Sequence, residues 1–188
     1  PTTPLFDPEN PNLYSDFTGQ EALWNPVEEL KLEQNGGETK LLDWDATVKL
    51  NLLPLLAKDG HSIHSLSTQL TFADQQSDNF DYWFRPSTSR LAMKNDYKGE
   101  ASRTYSKYRQ HSLEWLGNYA MELKGHRARA MVGYSYQYFQ NSGLNAANKD
   151  FSSDGLLYND LGSGEWAKEE GRNEMGTNKS DSKLIAFF

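Results

Sequence analysis

Between His111 and Gln140 apolar and polar side chains alternate with a period of two. Leu113, Trp115, Gly117, Tyr119, Met121 and Leu123 fall on one face of an extended chain, and Ser112, Glu114, Asn118 and Glu122 fall on the other. After Lys124-Gly125 the alternation resumes, with Ala128, Ala130, Val132, Tyr134, Tyr136 and Tyr138 opposed to Arg127, Arg129, Ser135 and Gln137. The pattern predicts two strands, at about 104–123 and 126–140, joined by a two-residue hairpin turn. Both are longer than the usual strand of about five or six residues. Their apolar face is rich in Tyr and Trp away from the turn.

The same pattern recurs upstream. Leu42, Trp44, Ala46, Val48, Leu50 and Leu52 alternate with Asp43, Asp45, Thr47, Lys49 and Asn51, which predicts a strand over 41–53. Pro54 ends it and Ala57-Lys58-Asp59-Gly60 supplies a turn. A return strand over 61–73 sets Leu66, Leu70 and Phe72 against Ser65, Ser67, Gln69 and Thr71, and a fifth strand is predicted over 182–188. Between the hairpins lie polar stretches read as long loops: 1–37, rich in Pro, then 74–102, and 141–180, heavy in Gly, Asn, Ser and Asp. A short helical turn is expected at Asn25-Pro26-Val27-Glu28-Glu29-Leu30, with Asn25 as cap and Pro26 at the first helical position.

Tight turns and long loops therefore alternate strictly. Long strands, one apolar face and an aromatic girdle complete the layout of an antiparallel up-and-down membrane barrel, with short periplasmic turns and long extracellular loops. Five strands cannot close such a barrel, and an open edge is not tolerated in hydrocarbon, so residues 1–188 are expected to be one partial domain of something larger. The alternative is a soluble all-β module, such as a carbohydrate-binding sandwich, whose apolar face is buried by a second sheet.

Composition narrows the function. The chain of 188 residues is 37% hydrophobic and 13% aromatic, enough for a domain with a core. A formal net charge of -7, with Lys and Arg scattered, argues against a nucleic-acid partner. The absence of cysteine excludes disulfides, thiolate nucleophiles and cysteine-based metal sites in this chain. No signal peptide and no long apolar run is evident, which suits a processed chain or a fragment and is also what a strand-built membrane protein shows.

Four passages carry a family resemblance. Gly133-Tyr134-Ser135-Tyr136-Gln137, Asn148-Lys149-Asp150-Phe151 and Leu157-Tyr158-Asn159-Asp160-Leu161-Gly162, together with Asn25-Pro26-Val27 leading into Leu42-Asp43-Trp44-Asp45, resemble runs of the SusC/RagA-type TonB-dependent outer-membrane transporters. The resemblance implies a plugged barrel of about 22 strands that imports oligosaccharides or oligopeptides. It also implies a SusD-like surface lipoprotein as lid, energy from the TonB complex through a plug region absent from this chain, and a setting in outer-membrane lipid. No cofactor is implied.

Candidate chemistry is sparse. Asp43 and Asp45 share a strand face, as a carboxylate pair for glycan hydrolysis would, but polar residues lining a watery interior look the same. His61 and His64 have a spacing that zinc sites use on helices, whereas on a strand they point to opposite faces. Asp150-Phe151-Ser152-Ser153-Asp154-Gly155 matches the first half of a calcium loop, yet Leu161 stands where a bidentate Glu is needed. No metal site and no catalytic residue is expected. Tyr82, Trp83 and Phe84, placed in an extracellular loop, are the candidates for contact with substrate, because aromatic faces stack on sugars and fill peptide pockets. Tyr134, Tyr136 and Tyr138 are read as membrane-interface girdle.

Overall fold

The computed structural model describes residues 5–15, 25–52, 62–123, 126–172 and 174–188. Five strands, β1 (Gln34–Asn51), β2 (Ser62–Arg85), β3 (Glu100–Leu123), β4 (His126–Lys149) and β5 (Met175–Phe187), form one antiparallel sheet in the order β1-β2-β3-β4-β5. The fold is all-β and up-and-down, and the sheet is not closed. No described helix is long and apolar enough to cross a membrane, which says nothing of strands.

The strands fall in the expected order, and each reaches further into a segment read from the sequence as loop. β2 does not stop at Ala73 but continues to Arg85, and β3 begins at Glu100. β4 runs on to Lys149, β5 starts at Met175 and β1 at Gln34. These added stretches, such as Asp74-Gln75-Gln76-Ser77-Asp78-Asn79, have no apolar alternation. Ladder hydrogen bonds to the neighbouring strands hold them extended, and such pairing overrides weak local propensity. The expected turns at 57–60 and 124–125, and His61, lie outside the described residues.

Contacts divide the chain into two compact units. Unit two comprises Lys40–Asp78, Lys107–Ser142 and Lys179–Phe188. Its register is legible in its side-chain pairs. The Trp44 and Phe72 rings lie 5.4 Å apart, the Trp115 indole N–H donates to Thr68 Oγ1 at 2.8 Å, Tyr119 Oη lies 2.8 Å from His64 Nδ1, and Tyr134 meets Phe187 at 5.2 Å. All of these belong to the apolar row of their strands. On the opposite face Thr47 and Thr71 share a hydroxyl hydrogen bond of 3.0 Å, and Arg127 pairs with Glu122. Among the described residues the sheet in this unit is a single layer, and its apolar face stays uncovered. Val48, Leu50, Val132 and Ile185 are each more than half exposed. Gly133 lies under the Phe188 ring, where a β-carbon would collide with it, and the two residues exchange backbone hydrogen bonds.

Unit one comprises Asn79–Ser106, Gly143–Asn178 and the described residues up to Thr39. It holds α1 (Pro26–Leu32), α2 (Arg90–Lys94) and three short 3-10 turns in the β4–β5 connection. The expected helical turn is present as α1, with the Asn25 side chain accepting from Val27 N and Pro26 opening the helix. A small core of Phe84, Ala101 and Phe151 is closed by Leu157, Tyr158 and Leu161. Gly99 adopts a left-handed φ of 71°, and an added β-carbon there would crowd Asp154 and the Arg85 carbonyl.

Candidate functional site

The densest chemistry lies in unit one, where the strand ends and the long connections meet. Alternation along the end of β2 puts Trp83 and Arg85 on one face and Tyr82 and Phe84 on the other. The two faces serve different partners.

On the first face Glu33, just after α1, receives Arg85 and Trp83 together. Arg85 Nε donates to Glu33 Oε1 at 2.7 Å, Arg85 Nη2 lies 2.6 Å from the same oxygen, and the Trp83 indole N–H donates to Oε2 at 3.0 Å. The guanidinium also stacks on the Trp83 ring, 4.7 Å from its centroid. Tyr97 Oη donates to Glu100 Oε2 at 2.9 Å and accepts from Arg85 Nη1 at 3.3 Å. Lys149 closes the cluster, 3.2 Å from Glu100 and 3.7 Å from Glu174. Its ammonium also lies over the rings of Tyr97 and Trp166. Burial pushes the Tyr97 phenol above the ordinary tyrosine range; the hydrogen bond from Arg85 opposes that shift, and the one to Glu100 reinforces it. The arrangement is a charge-alternating network with aromatic surfaces. It can hold loops in place and offer both signs of charge to a ligand.

On the second face the β4–β5 connection folds over the strands. Tyr158 stacks on Tyr82 with centroids 3.7 Å apart, and Arg103 lies 4.8 Å from the centroid of the Phe80 ring. A cleft of about 390 Å³ opens beside them, lined by Phe80, Arg103, Tyr105, Leu144 and Leu161. A second cleft of about 390 Å³ lies against Asn148, Gly164, Arg172 and Glu174. Asn148 is buried and anchors this connection: its amide donates to the carbonyls of Leu161 and Gly164 and accepts from Ala167 N.

The structure treats the three sequence candidates unequally. Tyr82, Trp83 and Phe84 lie on strand β2 and not in a loop. Phe84 is 2% exposed in the core of unit one, so no face of it is left for a ligand; Tyr82 and Trp83 are half-buried. The calcium-like segment is spent on structure. Asp154 accepts from the Ser87 amide and hydroxyl, and Asp150 accepts from Lys98 N at 2.8 Å. Asp43 and Asp45 are exposed on β1, and His64 faces Tyr119. Among the described residues no cluster of three or more His, Asp or Glu could hold a metal. Sequence reasoning missed the network of Glu33, Arg85, Tyr97, Glu100 and Lys149. Apart from Tyr97 and Glu100 its members are far apart in the chain, and the only local trace is Arg85 directly after Tyr82-Trp83-Phe84.

A scan against protein-family models returns no match, and neither does a search of curated proteins. Among solved structures, one described as the structure of the RagAB peptide transporter superposes with a TM-score of 0.59 at 13% identity. The match covers 93% of this chain and 18% of the other, so the chain corresponds to about a fifth of the length of that neighbour. At this identity the likeness establishes a shared fold over nearly the whole chain.

Proposed function

We propose that this chain is a section of the wall of a SusC/RagA-type, TonB-dependent outer-membrane importer, working with a SusD-like lipoprotein on oligopeptides or oligosaccharides. The observation that carries the reading is the uncovered apolar face of unit two. A water-soluble sheet buries such a face under a second layer, but all five strands here belong to one sheet. A bilayer supplies the missing layer without further protein, and strands added at β1 and β5 would satisfy the open edges. The carbohydrate-binding sandwich lacks its second sheet among the described residues. A fold shared with part of a peptide transporter supports the same reading.

In this reading the long connections of unit one face the outside. The network around Arg85 then shapes the path of the cargo, and Trp83 is the aromatic that meets it, while Tyr82 and Phe84 hold the β4–β5 connection. The mechanism is transport, with no bond made or broken by the chain.

The chain has no cysteine, which makes single-cysteine labelling clean in this region. In intact outer membranes, Ser135→Cys and Gln137→Cys should react with a hydrophilic maleimide, and Val132→Cys and Tyr136→Cys should not. Equal labelling of both rows would remove the barrel-wall reading. Import itself is tested by uptake of labelled peptide and oligosaccharide pools, which should stop on addition of an uncoupler and fall with Trp83→Ala.

A further inference from the structure

We infer that the outward face of β3 in unit two carries a site for the phosphate of an anionic lipid headgroup, built around Arg109. The inference rests on the proposed lipid-facing assignment of that face. Lys107, Arg109 and His111 follow one another on the row that continues into Leu113, Trp115 and Tyr119, so the row changes from aromatic and apolar to cationic in one step. In a membrane wall such a step lies at the headgroup level.

Among the described residues Lys107 and His111 have acidic partners and Arg109 has none. Lys107 Nζ lies 3.5 Å from Asp78, and His111 Nδ1 lies 2.6 Å from Asp74, which also accepts from Gln76. The His111 ring is parallel to Tyr138 at 6.1 Å, and Lys183 Nζ lies over the Tyr138 ring at 5.9 Å. Asp181 shares the face of Lys183 on β5. Arg109 lies between Lys107 and His111, and its Nε is buried without a hydrogen-bond partner among the described residues. A buried guanidinium donor left unpaired is costly and calls for an acceptor.

The missing acceptor is not a neighbouring strand. β3 is the central strand of the sheet, flanked on both sides by strands of this chain. Its buried Nε is closed to an outside group, so whatever pairs with Arg109 must come over the face to Nη1 and Nη2, and a phosphate fits those two nitrogens with two parallel charge-assisted bonds. Tyr138 and Trp115 provide the amphipathic surface that the glycerol or sugar and upper acyl carbons of such a lipid would cover.

The test uses the full-length polypeptide containing this chain, in nanodiscs of zwitterionic phosphatidylcholine. Bis-phosphorylated lipid A, dephosphorylated lipid A or inorganic phosphate is added, and retained lipid is read by native mass spectrometry. The phosphorylated form should be retained over the dephosphorylated one. Arg109→Gln should lower that retention about tenfold, as expected for one charge-assisted contact, with partial recovery in Arg109→Lys. Unchanged retention in Arg109→Gln overturns the site, and displacement by inorganic phosphate alone overturns the lipid as its ligand. Quenching of Trp115 fluorescence by brominated acyl chains, taken as the difference from Trp115→Phe, reports separately. If Trp115 is not quenched, the membrane reading itself falls; if it is quenched in both wild type and Arg109→Gln, the variant is folded and only the phosphate site is at stake.

Discussion

Arginine placed on alternate faces of β4 separates a lipid-facing wall from a solvated sheet by magnitude. Val132 is 51% exposed on the apolar row and Met131 is 61% exposed on the polar row beside Arg129 and Ala120. If water covers both faces, each is an ordinary exposed position, and either substitution costs no more than about 0.5 kcal/mol. If hydrocarbon covers the Val132 face, Val132→Arg costs about 2–4 kcal/mol near the midplane, while Met131→Arg stays near zero. That difference is roughly 30- to 1000-fold in the folding equilibrium. The cost along the apolar row should also fall toward Tyr138, which neighbours His111 and Lys183, to about 0–1 kcal/mol at the interface. The assay is reversible denaturant-driven unfolding of the full-length protein from lipid vesicles, followed by tryptophan emission and by heat-modifiable gel mobility. Equal costs at 131 and 132, or a flat profile from Ala128 to Tyr138, would refute the reasoning.

The remaining predictions concern unit one. Glu33→Ala strands Arg85 and Trp83 and should destabilise the unit by about 1–3 kcal/mol, whereas Glu165→Ala, which removes only the exposed pair with Lys168, should cost less than about 1 kcal/mol; thermal melts of the two variants check this. Phe84→Ala empties the centre of the small core and should cost about 3 kcal/mol, read in the same melts. Asp154→Ala releases Ser87 from the β4–β5 connection and should speed proteolytic nicking within 150–172 while leaving fragments from β4 intact. A raised Tyr97 pKa means that the native state favours the protonated phenol. Its contribution is complete below the ordinary tyrosine value of about 10 and is lost as pH rises through the higher native value. At neutral pH, Tyr97→Phe removes the bonds of the hydroxyl to Glu100 and Arg85 and should therefore speed hydrogen exchange across 86–99. Above pH of about 10 the wild type should loosen more than that variant.

The resemblance read from the sequence and the likeness found in the fold rest on different features, and at 13% identity the second is a likeness of fold. One rests on short passages such as Gly133 to Gln137, the other on the path of the backbone over 93% of the chain. Neither fixes a cargo. That follows from where the informative residues are: the passages that carry the resemblance lie on strands, at the start of α1 and in the packed β4–β5 connection, and they answer to folding requirements.

The sequence by itself determined the five strands, their order, the all-β class and the two faces of unit two. There each strand carries an apolar row and a polar row, and a period-two sheet shows that difference in every pair of residues. It also determined α1, through Asn25 and Pro26, because capping is local. The outer stretches of the strands were decided by tertiary structure alone. Residues 74–79 and 141–149 are mostly polar or small on both faces, so no apolar alternation marks them and only ladder hydrogen bonding makes them strand. The same holds for the network. Glu33, Arg85, Glu100, Lys149 and Glu174 belong to five separate passages, and their charges become one cluster only when the register aligns the strand ends. Trp83 and Phe84, adjacent in sequence and alike in chemistry, part company for the same reason: alternation sends one to Glu33 and Arg85 and the other into the core with Phe151.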